Sequence, residues 1–186
     1  KIINLNSRYL IVGKGALKAE LKQLAKEFNI EDQVMFAGYR TDIMQILKAS
    51  DSFIFPSLQE GLPVALLEAM SARLPVVCSK IRGNIDLIKE NKGGFLVDAY
   101  DVDTYVQAIE KMAENSDMRK KYGKYNRTVV KEYDLKCVSG AMEKIYRNIG
   151  KIMQGKADKS FNQSEYLINK EVELLDENST DSFINL

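Results

Sequence analysis

DSFIFPSLQEGLPVALLEAMSARLPVVCS, residues 51–79, sets the fold of this chain. Ser52 to Phe55 is a short apolar run rich in strand formers. Pro56 to Gly61 is a loop. Leu62 to Ser71 reads as a helix with Pro63 in its first turn, where the absent N–H costs nothing. Pro75 to Cys78 is a second buried strand. A strand, short helix and strand at this spacing predict a βαβ unit with parallel strands and a right-handed crossover. Ligands of such units bind beyond the carboxyl ends of the strands, where the helix begins.

Within this stretch Glu68 is the informative residue. The helix LPVALLEAM is apolar nearly all round, the pattern of a buried helix, and Glu68 is its only ionisable group. An unpaired buried carboxylate costs several kcal/mol, so Glu68 calls for a partner: a Lys, an Arg, or a ligand with hydroxyls. Glu60 stands eight residues earlier, roughly 10 Å away along the helix axis. Between the two lies a helix N-terminus, which attracts anions through free N–H groups and the dipole. That order suits a ribose, a diphosphate and a sugar held in line. By itself, Glu60 reads as a first-turn acid favoured by the dipole.

The pattern P-S-x-x-E-G-x-P-x-x-x-x-E over residues 56–68 resembles the E-x7-E motif of the retaining GT-B glycosyltransferases. The similarity is closest to family 4, the group 1 glycosyl transferases that build bacterial capsular polysaccharide, exopolysaccharide and lipopolysaccharide. It extends through LIVGKGALKAELKQLAKEFNIEDQVMFAGYRTDIMQILKASD before the motif and LPVVCSKIRGNIDLIKENKGGFLV after it, over roughly residues 8–150. The resemblance implies an α/β fold: a Rossmann-like doubly wound parallel sheet, the C-terminal, donor-binding half of a GT-B fold, truncated at its N-terminus. It implies that the N-terminal GT-B domain is missing, as are the first strand and helix of this domain, with the Arg and Lys they supply to the diphosphate. The last helix would then pack toward the missing domain.

Upstream of the motif, Arg8 to Val12 is a strand ending in Gly13-Lys14-Gly15. The third glycine of a dinucleotide fingerprint is absent, so the residues favour a tight turn; the resemblance puts Gly13 beside the donor nucleotide. Ala16 to Phe28 is an amphipathic helix with Leu17, Leu21, Leu24 and Phe28 on one face. Gln33 to Ala37 is a strand, and Thr41 is the expected N-cap of a helix from Asp42 to Lys48. Tyr39 and Arg40 sit between them. From the residues alone Tyr39 packs its loop and Arg40 is solvated; by resemblance the loop borders the nucleobase.

Downstream, Lys80 to Asp86 leads into a short helix, Ile85 to Glu90. In the family this loop often carries a second glycine and ends in Pro-Glu; here Asp86 stands where that Glu would be, and Arg82 is a candidate phosphate partner or a surface cation. Arg73 occupies a helix end where the family commonly has Gly; a left-handed Arg costs on the order of 1 kcal/mol. Gly93 to Val97 is the last clear strand. Asp101, Ser116 and Asp134 are the expected caps of three helices, the last with an apolar stripe from Leu135 to Ile149. Domain boundaries follow: an incomplete nucleotide-sugar-binding domain over 1–150 and an acidic, weakly ordered tail over 151–186, within which 156–186 holds three cations and seven acids.

Composition narrows the classes. Lys and Arg total 27 against 26 acids, a balance that argues against nucleic acid as a partner. No apolar run reaches the ~18 residues of a membrane span. Histidine is absent, which removes the commonest general base and metal ligand. Cys78 and Cys137 fit free thiols of a reducing compartment, hence the cytoplasm. By resemblance the full enzyme associates peripherally with the inner face of the membrane.

The resemblance implies transfer of a hexosyl group from a UDP- or GDP-linked sugar to a glycan or lipid-linked acceptor, with retention and without a metal. Glu60 would hold donor-sugar hydroxyls at the reacting centre, Glu68 the ribose, and Gly61, Leu62 and Val64 the diphosphate. The isolated chain would bind weakly and turn over poorly. Two other readings stay open: a GT-B nucleotide-sugar epimerase and a non-catalytic binding module.

Overall fold

The βαβ unit forms where the sequence places it. The computed structural model describes residues 7–153, with side chains to 149. Strands β3 (Phe53–Phe55) and β4 (Val76–Ser79) run parallel, with Phe53 opposite Val76 and Phe55 opposite Cys78, and helix α3 (Val64–Ser71) connects them. β5 (Gly94–Val97) adds to the far side of β4, again parallel. All four residues of β4 are buried, as a run of Val-Val-Cys covered on both faces should be. β1 (Tyr9–Val12) and β2 (Val34–Gly38) form a separate parallel pair, linked by α1 (Lys18–Glu27). The five expected strands thus divide into two ladders, β1-β2 and β3-β4-β5. Among the described residues β1 and β3 each have one strand neighbour, and their apolar side chains are only half-buried.

That division explains the largest departure from expectation. Leu17, Leu21, Leu24 and Phe28, the apolar face read for α1, are exposed, and the helix buries Ala25. A two-stranded ladder is too narrow to cover the face. The main core lies elsewhere, where Leu66 and Met70 of α3 meet Val76 and Cys78 of β4 and Leu87 and Ile88. A second cluster packs Val77 and Val97 against Ala108 and Met112 of α5 (Val102–Glu114; α4 is Asn84–Leu87) and Tyr122 of α6 (Ser116–Val129). Asn126 of α6, fully buried, donates to the carbonyls of Leu74 (2.8 Å) and Gly93 (2.7 Å), tying α6 to the entries of β4 and β5.

Two of the helix caps differ from expectation by a residue. Asn115, not Ser116, caps α6, its Oδ1 accepting from Met118 N at 2.8 Å. α2 (Ile43–Lys48) begins after Asp42 rather than Thr41, and the Asp42 carboxylate is drawn away by Arg40. Asp101 caps α5 through Thr104 N as expected. Asp134 precedes α7 (Leu135–Met153) and accepts from Lys136 N at 2.9 Å.

Arg73 has φ +65°. Its N–H bonds to Met70 O and the N–H of Leu74 to Ala69 O, both at 3.0 Å, so α3 closes on a Schellman motif with Arg in the glycine position. Arg73→Gly is expected to stabilise the chain by about 1 kcal/mol, raising its melting temperature by about 2–4 °C in a thermal melt.

The described residues divide into two units, 7–137 and 138–153. The described part of the second is the rest of α7, whose Val138, Met142, Tyr146 and Ile149 are exposed. α7 runs into the first residues of the expected tail, and residues 154–186 lie outside the described residues.

Candidate functional site

The period of α3 sorts its residues into two faces. Leu66, Ala69 and Met70 are buried; Val64, Ala65 and Glu68, offset by three and four positions, look outward. Glu68 is therefore half-buried, not enclosed as an all-apolar helix suggests, because the N-terminal turn of α3 is open to solvent. No ion pair to Glu68 forms among the described residues. It lines a cavity of about 230 Å³ with Met44 of α2, Ser71, Arg127 and Lys131, and with Tyr133 and Asp134. Arg127 and Lys131 lie about sixty positions beyond Glu68 in sequence, so no local pattern announced them.

Pro63 is the N-cap of α3 rather than a first-turn residue, and it is buried. Its carbonyl accepts from Leu66 N (3.1 Å) and Leu67 N (3.2 Å). The remaining first-turn N–H groups are those of Val64 and Ala65, both on exposed residues. Leu62 and Gly61 are exposed just ahead of them. Glu60 is half-buried, and its Oε1 accepts from Ser57 Oγ at 2.7 Å. Behind this loop stands Gly83, at φ +87°, so close that a Cβ there would run into the carbonyl oxygen of Gly61 and come within 3.0 Å of that of Glu60. Arg82, next to it, is exposed. α4 starts at Asn84, one residue earlier than expected, and its first-turn acid Asp86 is exposed.

A second group gathers at the ends of β1 and β2. Gly13, at φ +134°, donates its N–H to Gly38 O at 2.8 Å, joining the two loops. Tyr39 is 68% exposed, and the Nζ of Lys14 sits 5.5 Å from its ring centroid, a cation–π contact that leaves the ring open to solvent. Lys14 was not singled out in the sequence. Arg40 is not simply solvated: it makes a bidentate pair with Asp42, Nε to Oδ1 at 2.8 Å and Nη2 to Oδ2 at 2.6 Å, which lowers the pKa of Asp42. The loops after β3 and β4 thus come together at Glu60–Gly61–Gly83, those after β1 and β2 at Gly13–Tyr39, and Met44 brings α2 to the Glu68 cavity. Of the nearby thiols, Cys78 is buried, and burial with the Glu90 charge pushes its pKa up to about 12, so it is no nucleophile.

Residues 2–129 match the family model of the glycosyl transferases group 1. Over 111 residues the chain is 40% identical to the UDP-Gal:alpha-D-GlcNAc-diphosphoundecaprenol alpha-1,3-galactosyltransferase of Escherichia coli, covering 59% of this chain and 29% of that enzyme. It superposes on S. aureus TarM, crystallised with fondaparinux, alpha-GlcNAc-glycerol and UDP, with TM-score 0.65 and 26% identity, over 67% of this chain and 26% of TarM. Anabaena Alr3699/HepE in complex with UDP gives TM-score 0.72 at 22% identity, covering 76% of this chain and 41% of HepE, a likeness of fold alone. The chain spans about a third or less of the curated relatives it matches first. The two-ladder parallel α/β arrangement is the C-terminal part of these GT-B structures, and the chain belongs to the glycosyl transferases group 1.

Proposed function

We propose that this chain is the donor-binding domain of a retaining hexosyltransferase acting on a glycan or lipid-linked acceptor, with a uridine diphosphate sugar as donor. The observation that carries the reading is the exposed N-terminal turn of α3 with a half-buried carboxylate on either side, Glu60 before it and Glu68 within it. Free N–H groups of Val64 and Ala65 would meet the charge that grows on the departing diphosphate, the point where electrostatic stabilisation counts most. Glu68 would accept hydrogen bonds from ribose hydroxyls at the mouth of its cavity. Glu60 would hold the hydroxyls of the transferred sugar and keep its anomeric carbon placed, an orientation effect rather than proton transfer. Tyr39 would lie against the base, and Gly13 lets the backbone approach it. Uridine is favoured because one relative is named for UDP-Gal and the structural neighbour TarM was crystallised with UDP.

The test is a thermal-shift titration of the chain with UDP, GDP, ADP and their sugar conjugates. A ligand that binds only the native state raises the melting temperature. UDP is expected to do so, and Glu68→Ala to weaken it by about 10- to 100-fold, the loss of hydrogen bonds to a charged acceptor. Unchanged UDP affinity in that variant would remove the ribose assignment.

A further inference from the structure

We propose that Asn84, Ser79 and Ser57 form a positioning chain that holds the Glu60 carboxylate ready for the donor sugar. The inference rests on the role given to Glu60 under Proposed function. Among the described residues three buried side chains are polar: Ser79, Asn84 and Asn126. Asn126 is explained by the two carbonyls it joins. Ser79 and Asn84 sit beside the main core, where an apolar pair would avoid the desolvation cost of polar groups. Their hydrogen bonds lead out of the core to one place.

Asn84 Nδ2 donates to Ser79 O at 2.9 Å and reaches Ser79 Oγ at 3.2 Å. With Asn84 Nδ2 at one of its lone pairs, the Ser79 hydroxyl gives its proton to the carbonyl oxygen of Ser57. That fixes the Ser57 peptide. The single proton of the Ser57 hydroxyl has two acceptors within reach, Glu60 Oε1 at 2.7 Å and Gln59 O at 3.2 Å. The shorter, charge-assisted bond is the stronger. One oxygen of Glu60 is thereby anchored, and among the described residues no hydrogen bond reaches Oε2. Gly83, next to Asn84, backs the same loop from behind, so main chain and carboxylate are held from one side. A glutamate carries substantial rotamer entropy. Losing it before the ligand arrives, rather than on binding, favours the bound geometry. Asn84 and Ser57 are on this account positioning residues that touch no ligand.

The test is calorimetric titration of the 186-residue chain with UDP, UDP-glucose and UDP-galactose. Ser57→Ala is expected to weaken the better-bound UDP-sugar about tenfold while leaving UDP within about twofold, and Ser57→Thr, which keeps the hydroxyl, to restore the native value. Asn84→Ala is expected to show the same split more weakly; where that variant fails to fold, the Ser57 pair decides. Equal loss for UDP and UDP-sugar in Ser57→Ala, or no loss, overturns the proposal. Glu60→Ala separates the two levels. Should Glu60→Ala be selective for the sugar and Ser57→Ala not, only the positioning chain falls. Should Glu60→Ala weaken both ligands alike, or the native chain bind none of the three, the reading of Glu60 falls and the inference with it.

Discussion

On the proposed function, Gly83→Ala is expected to lower kcat/KM for sugar transfer about a hundredfold, the scale of a 1 Å misplacement at a reacting centre. Two independent features make the position intolerant. Its φ of +87° lies where side chains are strained, and the added methyl has no space in front of the Gly61 carbonyl. That obstacle is backbone, so it cannot rotate aside. Either the turn at 82–84 gives way, taking Asn84 with it, or the Glu60–Gly61 segment moves toward the ligand. Steady-state kinetics with a nucleotide-sugar donor read the effect directly. An unchanged kcat/KM would mean that the 60–61 loop adapts freely and that its resting geometry is not the productive one.

Gly94→Ala is expected to cost about 3 kcal/mol of stability, a large share of the ~5–15 kcal/mol that a domain has. Gly94, the first residue of β5, pairs with Val76 of the middle strand β4, and a Cβ there would strike the Val76 main-chain carbonyl. β4 cannot retreat, because it is buried along its whole length. A urea titration followed by circular dichroism measures the loss as a lower midpoint at constant slope. A midpoint shifted by less than a third of this would show that β5 can part from β4 at little cost.

Local chemistry was legible and distant pairing was not. The βαβ unit at 51–79 could be read because strand length, Pro63 and the apolar run act within one stretch. Arg73 could be read as left-handed because the family it resembles commonly has Gly at that helix end. The burial of Glu68 was overestimated, since counting apolar letters on α3 says nothing about whether its first turn is covered. The same holds for α1: amphipathicity announces a face, but what covers it depends on how many strands lie beneath. Ser57 stood inside the quoted motif, yet its bond to Glu60 depends on Ser79 and Asn84, whose link closes only once β3 and β4 are side by side. Arg127 and Lys131 reach the Glu68 cavity by folding alone.

The buried thiol of Cys78 turns the middle strand into a clock. Cys137 is exposed and reacts with a maleimide at once, whereas Cys78, fully enclosed and with its pKa near 12, reacts only when β4 opens. The second label on each molecule therefore counts opening events in water, without denaturant, and a donor nucleotide that stills the ladder slows the count.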